Sequence, residues 1–396
     1  MNNDDPIVIT AAMRTPLGGF QGALSALTAA ELGATAIKAA LEKSNTDADA
    51  IDEVVMGCVL PAGQGQAPAR QAALGAGLPL GTNCTTINKM CGSGMKAAMF
   101  AHDLLIAGSA KVAVAGGMES MTNAPYLLPK ARGGMRMGHG QIQDHMFLDG
   151  LEDAYDKGKL MGCFAEDTAS HYKFSREAQD EFALRSLARA KDAIDNGDFK
   201  NEVAPVTVTS RKGDTVVEHD EQPHNAKPEK IPTLRAAFAK DGTVTAANAS
   251  SISDGAAALV MMRQSECEAR GLKPLAKVLG HSTHAHEPQW FTTAPVQAMR
   301  KLLEKLNYSQ SDFDLYEINE AFAVVTMAAI HDLNLPTDKV NIHGGACALG
   351  HPIGASGARI LATLLHALKN QGKQRGMASL CIGGGEATAM AIEIIQ

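Results

Sequence analysis

Four residues of this chain have types and neighbours suited to chemistry: Cys91, Asn319, His351 and Cys381. Cys91 lies in Thr86-Ile87-Asn88-Lys89-Met90-Cys91-Gly92-Ser93-Gly94-Met95-Lys96, after a strand-like stretch and before an apolar-periodic helix through Ala97, Ala98, Phe100, Ala101, Leu104 and Leu105. A sulfur at a helix start meets unpaired N–H groups and the positive end of the helix dipole, which favour thiolate over thiol. A free thiol of pKa ~8.5 is only slightly ionised at neutral pH, so a depression of ~1–2 units makes a nucleophile of it. Burial as a small hydrophobe is the commoner fate of a cysteine. Gly92 and Gly94 favour chemistry, because they leave the backbone open to a ligand.

His351 sits between glycine-rich turns in Gly344-Gly345-Ala346-Cys347-Ala348-Leu349-Gly350-His351-Pro352-Ile353-Gly354, just ahead of another helix. A neutral imidazole there can take the proton of a nearby thiol. Cys381-Ile382-Gly383-Gly384-Gly385 follows a strand, at the carboxyl end of a sheet where open α/β folds bind ligands. It offers a second thiol and glycine N–H groups for a developing oxyanion, although a purely structural glycine turn explains it equally well. In Asn319-Glu320-Ala321-Phe322, Asn319 can hold a water or a carbonyl oxygen, the default reading being a helix cap.

The elements that must position these groups follow from pattern. Strands are predicted over Ile7–Ala11, Val54–Val59, Thr85–Asn88 and Val112–Ala115, with helices near Ala29–Leu41, Ala67–Ala76 and Gly94–Ala107. The last third repeats the alternation: strands at Ala276–Leu279, Leu315–Ile318, Val340–Ile342, Ser379–Ile382 and Ala389–Ile395, helices at Val296–Leu306, Ala321–Leu333 and Ala355–Leu368. Two such halves suggest a duplicated α/β unit. The repeat sets Gly92 opposite Gly354, and Val114-Ala115-Gly116-Gly117 opposite Cys381-Ile382-Gly383-Gly384. Between the halves, about residues 120–250, Pro, Gly, His and charge dominate. Arg176–Asn196 is the one strong helix there, and Gly255–Met262 returns as a strand.

The 396 residues, 45% hydrophobic, suffice for two or three full cores. A net charge of −7 without a basic stripe argues against nucleic-acid binding. Met1 to Pro6 lacks the cationic and apolar regions of a leader, and the most apolar run, Ala321 to Ile330, is far short of a span of ~20 residues, so a cytoplasmic location off the membrane is expected. Seven scattered cysteines without a C-x-x-C pair read as reduced thiols. His281, His284 and His286 are closely spaced, but no Cys or Asp supports them in sequence, so they read as a polar loop and no metal is expected.

Taken in order, these segments resemble the thiolase family nearly end to end. Ile7-Val8-Ile9-Thr10-Ala11-Ala12-Met13-Arg14-Thr15-Pro16 is similar to its amino-terminal strand and turn. The segments around Cys91, His351 and Cys381 are similar to its three signatures. The resemblance implies an α/β fold of two duplicated βαβαβαββ domains in a layered α-β-α-β-α core: residues 1–121 with 252–273, and residues 274–396. A loop domain over 122–251 would hold coenzyme A, in a homotetramer. Acyl-CoA and CoA would be the substrates and no cofactor would be required. The resemblance makes Cys91 the acylated nucleophile, His351 its base and Cys381 the acid/base for the substrate α-carbon or the leaving thiol. It places one oxyanion hole at His351 with an Asn319-held water, and another at the N–H groups of Cys91 and Gly383. The activity implied is acetyl-CoA C-acetyltransferase within fatty acid metabolism, with a 3-ketoacyl-CoA thiolase of broader chain length as the rival. A CoA-binding scaffold without turnover is disfavoured by the complete catalytic set.

Ser250 matches a position beside the pantetheine arm, and Ala321 and Phe322 complete the substrate-facing set with Leu160, Met161 and Phe291. Departures fall there. Leu160-Met161-Gly162 replaces the family's His-Met-Gly, Phe291-Thr292-Thr293-Ala294-Pro295 its Met-Gly-Thr-Gly-Pro, and Glu386-Ala387 its Met-Gly or Gln-Gly. His224 stands for an arginine near the nucleotide end of CoA, a charge that Lys227, Arg211 or Arg132 could supply instead.

Overall fold

The computed structural model describes residues 5–395; the reading of Met1 to Asp4 lies outside them. The first half contains β1 (Ile7–Arg14), α1 (Ala29–Ser44), β2 (Glu53–Gly57), α2 (Pro68–Gly75), β3 (Asn83–Ile87), α3 (Ser93–Ala107) and β4 (Val112–Ser120). An insertion follows with α4 (Met161–Tyr172) and α5 (Arg176–Asn196), after which β5 (Ser253–Arg263) returns. The second half contains β6 (Ala276–Ala285), α6 (Ala294–Leu306), β7 (Leu315–Ile318), α7 (Ala323–Leu333), α8 (Ser356–Asn370), β8 (Arg375–Ile382) and β9 (Glu386–Ile394).

The strands run β3-β2-β4-β5-β1 in one half and β7-β8-β9-β6 in the other. In the first, β3, β2 and β4 are parallel, and β5 and then β1 are added antiparallel. In the second, β7 and β8 are parallel, with β9 and then β6 antiparallel, so the topology is duplicated. The halves join where β1 meets β6 through only two residue pairs, Val8 with Lys277 and Ile9 with Ala276.

Period-two alternation in the strands builds the layers. Val55, Ala113, Ala115, Ala378, Leu380, Met390 and Ile392 face inward onto α3 and α8. Their neighbours Val54, Met56, Val112 and Val114 face α1 and α2, while Met377, Ala389 and Ala391 face α6 and α7. The order is therefore helices, sheet, the central pair α3 and α8, sheet, helices. Side-chain caps set helix limits: Thr28 and Glu31 form a capping box on α1, and Ser175 Oγ accepts from Ala178 N at the start of α5.

Several expectations need correction. Val340–Ile342 is not a strand: Val340 makes an isolated bridge to Tyr316, and Asn341 turns left-handed at φ +49°. The Asn341 amide takes over the ladder, accepting from Ile318 N at 2.8 Å and donating to Ile318 O at 2.8 Å. Helix α4 was not foreseen, because Gly162 inside its first turn lowers helical propensity. That glycine is required, since a Cβ would fall 2.3 Å from the Phe238 ring. The triple-histidine stretch is not a polar loop, as β6 carries His281 and His284.

The central helices start at Ser93 and Ser356, which pairs Gly94 with Gly357, one residue off the register read from the repeat. A Cβ at Gly94 would lie 2.7 Å from Ala358 N, and one at Gly357 2.3 Å from Met95 N, so backbone packs on backbone here. Gly357→Ala is expected to lower unfolding stability by about 3 kcal/mol or more, at the upper end for overpacked cores. Urea denaturation at fixed protein concentration measures it, and a midpoint equal to that of the native chain would contradict this packing.

Candidate active site

Cys91 is held by a locked turn between β3 and α3. Met90 adopts a left-handed conformation, φ +47°, that a non-glycine residue keeps only when its surroundings fix it. Asn88 Oδ1 accepts from Met90 N at 2.8 Å, Ser93 Oγ accepts from Lys89 N at 2.8 Å, and Ser93 Oγ donates to Met90 O at 2.6 Å. Gly92 has no room for a side chain, since a Cβ would lie 2.4 Å from Ile382 Cδ1. The nucleophile turn of one half thus packs on the Cys381 turn of the other. Lys89 also pairs with Glu386 on β9, which gives the departure at Glu386 a partner.

His351 follows Gly350, whose φ of +110° demands glycine and where a Cβ would lie 2.1 Å from Ser253 Oγ. Its backbone N–H donates to Ser251 O and Ser253 Oγ, each at 3.2 Å. Ser356 Oγ donates to Pro352 O at 2.9 Å and lies 2.5 Å from His351 Nδ1. With that hydroxyl proton spent on Pro352, Nδ1–H donates to Ser356 and the lone pair falls on Nε2. Buried Nε2 has no protein partner, and burial pushes the imidazole pKa down to about 3, aided by the Arg359 charge. His351 is a neutral base.

Cys91, His351 and Gly383 open into one cavity of about 370 Å³, lined mostly by apolar side chains. Leu160, Met161, Ser250, Phe291, Ala321 and Phe322 line the same cavity, so the expected substrate-facing residues converge. Phe291 packs edge-to-face on Phe164 at 6.3 Å, and Met161 Sδ approaches Gly383. Cys381 and Asn319 lie behind this lining, fully buried. Asn319 ends β7 with Nδ2 3.4 Å from His351 Nδ1 and Oδ1 unpartnered. It does not cap α7, whose N-cap is Phe322. His224 stays outside, exposed on the short helix Glu221–Asn225 and 3.5 Å from Asp195. A groove sharing Ala246 and Ser251 with the cavity runs past Lys227 and Lys230, whereas Arg132 and Arg211 do not line it.

The expected thiolate at Cys91 is corrected. Burial pushes the thiol up to about 11, against N–H groups of Gly383 and of Cys91 itself, with the Glu119 charge adding to the rise. A helix terminus contributes ~0.3–1 kcal/mol, less than one pKa unit, so desolvation wins. Burial and the nearby Cys91 likewise raise Cys381. In the unliganded site both sulfurs are thiols. The N–H groups of Cys91 and Gly383 nevertheless converge at the sulfur, where an acyl oxygen could sit.

Two supporting residues escaped sequence reading. Ser356 fixes the His351 tautomer; a hydroxyl five residues after a histidine is its only signal. Glu119, buried and raised to about 7 by burial, accepts N–H groups from Val59, Leu60 and Gly354 at 2.8–3.1 Å, tying the His351 turn to the first half.

The family model "Thiolase, N-terminal domain" matches residues 7–265 and "Thiolase, C-terminal domain" residues 272–394. The acetyl-CoA acetyltransferase of Escherichia coli is 50% identical over 388 residues, covering 98% of each chain. Acetyl-CoA acetyltransferase A, mitochondrial, of Xenopus laevis is 48% identical over 389 residues, 98% of this chain and 91% of that one. The Bacillus anthracis acetyl-CoA acetyltransferase structure superposes with a TM-score of 0.96 at 42% identity, over 99% of both chains. The Acat5 thiolase from Ascaris suum in complex with coenzyme A gives 0.93 at 42% identity, over 98% of this chain and 100% of that one. With a duplicated fold, a cavity lined by Cys91 and His351 with Cys381 buried behind it, and matches of this extent, the chain belongs to the thiolase family.

Proposed function

We propose that this thiolase is an acetyl-CoA C-acetyltransferase, condensing two acetyl-CoA to acetoacetyl-CoA and CoA and catalysing the reverse thiolysis. The observation that carries the reading is Cys91, Gly383 and the neutral His351 lining one apolar cavity. The names of relatives near half identity over nearly the full chain agree with it. We divide the chain as the topology suggests, into 1–121 with 252–273, a loop domain 122–251, and 274–396.

In the acylation step the Cys91 proton passes to His351 Nε2 while Sγ attacks the acetyl carbonyl. The CoA thiolate leaves and takes a proton from Cys381. Cys381 thiolate then removes a proton from the methyl carbon of the second acetyl-CoA. That carbanion attacks the acetyl group on Cys91, and the expelled Cys91 thiolate recovers its proton from His351. Every proton returns, and no metal or redox cofactor enters the balance; coenzyme A is substrate and product. The N–H groups of Cys91 and Gly383 serve the acyl oxygen, while His351 and a water on Asn319 serve the enolate; each such donor is worth ~10²–10³ in rate. Asn319 Oδ1, buried and unpartnered, supports the water. Ser250 lies where a pantetheine arm would leave the cavity, and Lys227 and Lys230 face the groove beyond, where a nucleotide phosphate would lie. These lysines take over the charge absent at His224.

A cytoplasmic location fits seven free cysteines. Among the described residues no helix is long and apolar enough to cross a membrane. A homotetramer fits two exposed features: the edge strand β3, and the apolar loop carrying Tyr126, Leu128, Met137 and Ile142.

Four outcomes are expected. Mixing with acetoacetyl-CoA should leave an acetyl adduct on Cys91 by mass spectrometry, absent in Cys91→Ala. CoA-dependent cleavage of acetoacetyl-CoA should also exceed that of ketohexanoyl- and ketododecanoyl-CoA. Preference for the longer chains would instead support the broader 3-ketoacyl-CoA thiolase, for which bulky Phe291 and Leu160 at the acyl end are the residues to vary. Alkylation of Cys91 by iodoacetamide should rise about tenfold per pH unit between pH 6.5 and 9.5, because the thiol titrates at about 11. It should show no step near the usual imidazole value, since His351 is already neutral above about 3. A plateau near pH 7 would instead reveal a thiolate–imidazolium pair. Light scattering should return four chains per particle, and a monomer would refute the assembly.

A further inference from the structure

Among the described residues, one group of potential metal ligands brings three donor atoms together away from the active site: His102 and Asp103 on α3, and His281 on β6. His281 Nε2 lies 3.0 Å from Asp103 Oδ1 and 3.3 Å from His102 Nδ1, and His102 Nδ1 lies 3.0 Å from the same carboxylate oxygen. A tetrahedral zinc ion with bonds of ~2.0–2.1 Å holds its donors ~3.3–3.4 Å apart, so this triangle is close to one face of that polyhedron. Two imidazole nitrogens and one carboxylate suit a borderline divalent ion rather than magnesium or calcium.

The surroundings agree. The two rings meet edge-to-face at 5.0 Å, and both histidine side chains are only 13% exposed, whereas Asp103 is 56% exposed and leaves an open side for a water ligand. Two cations lie nearby: Lys305 Nζ donates to His281 O at 3.1 Å, and Lys96 is attracted to Asp103. The carboxylate offsets them.

We propose that His102, Asp103 and His281 form a structural site for a divalent transition metal, with zinc the best fit, completed by water. The ion would clip α3, the helix that follows Cys91, to the first strand of the second half, the strand that also makes the two-pair seam with β1.

The test uses the full chain, stripped with a chelator and alkylated with iodoacetamide so that accessible thiols do not compete. Calorimetry with Zn²⁺ should give one ion per chain, Co²⁺ should develop the intense visible absorption of tetrahedral coordination, and the melting temperature should rise with either metal. His102→Ala and His281→Ala should each weaken binding by more than ~100-fold, beyond the loss typical of an outer-shell change. His281→Gln, which keeps a polar side chain, should melt like the native chain in chelator and lose only the metal-dependent rise. Equal affinity in native chain and histidine variants would overturn the proposal. So would absence of binding by the native chain, which would leave a His–Asp–His cluster joined by hydrogen bonds alone.

Discussion

Contact between the amino-terminal turns of α3 and α8 is the constraint on which the active site depends. The two helices come from opposite halves of the chain, and they touch through Gly94 and Gly357 with no side chain between them. Cys91 lies two residues before α3 and His351 five before α8, so this one backbone contact brings nucleophile and base to one cavity. Other glycines extend the same logic. A Cβ on Gly117 would fall 2.0 Å from Gly354 O, and one on Gly57 2.6 Å from Ser93 Cβ. The family's glycine-rich signatures are here conditions for close approach rather than for flexibility.

The electrostatic state follows from the same burial. Excluding water keeps Cys91, Cys381 and His351 all uncharged at rest, although each was expected to work by proton transfer. Charge then appears only when a thioester enters and its developing oxyanion meets the fixed N–H groups. Donors that are already oriented cost no reorganisation at that moment. Ser356 and Pro352 decide which imidazole nitrogen carries the proton, so the direction of transfer is set by two hydrogen bonds outside the cavity.

Local features were legible in the sequence. β-Branched runs marked the strands, apolar periodicity the helices, and α5 was bounded correctly as Arg176–Asn196. The residues that face the cavity were legible only because extended motifs resembled a family, since no spacing connects Cys91 to His351. Non-local terms were not legible. Desolvation of Cys91 depends on what the second half packs around it, and Asn341 replaces a strand with its side chain because Ile318 happens to lie opposite. His281 acquires Asp103 as a neighbour from 178 residues away, so its sequence surroundings were the wrong place to look.

The position of β5 has a consequence for how the chain becomes an enzyme. It lies between β1 and β4, yet it is made only after the whole insertion, so the first sheet has a gap at its centre until residue 263 has been added. β8 and β9 come later still and carry Cys381 and the glycine turn at Gly383. Cys91 is therefore synthesised well before the residues that complete its site. A chain interrupted before β8 and β9 holds a thiol with neither the enclosure nor the partners that make it a transferase, and chemical competence waits for those two strands.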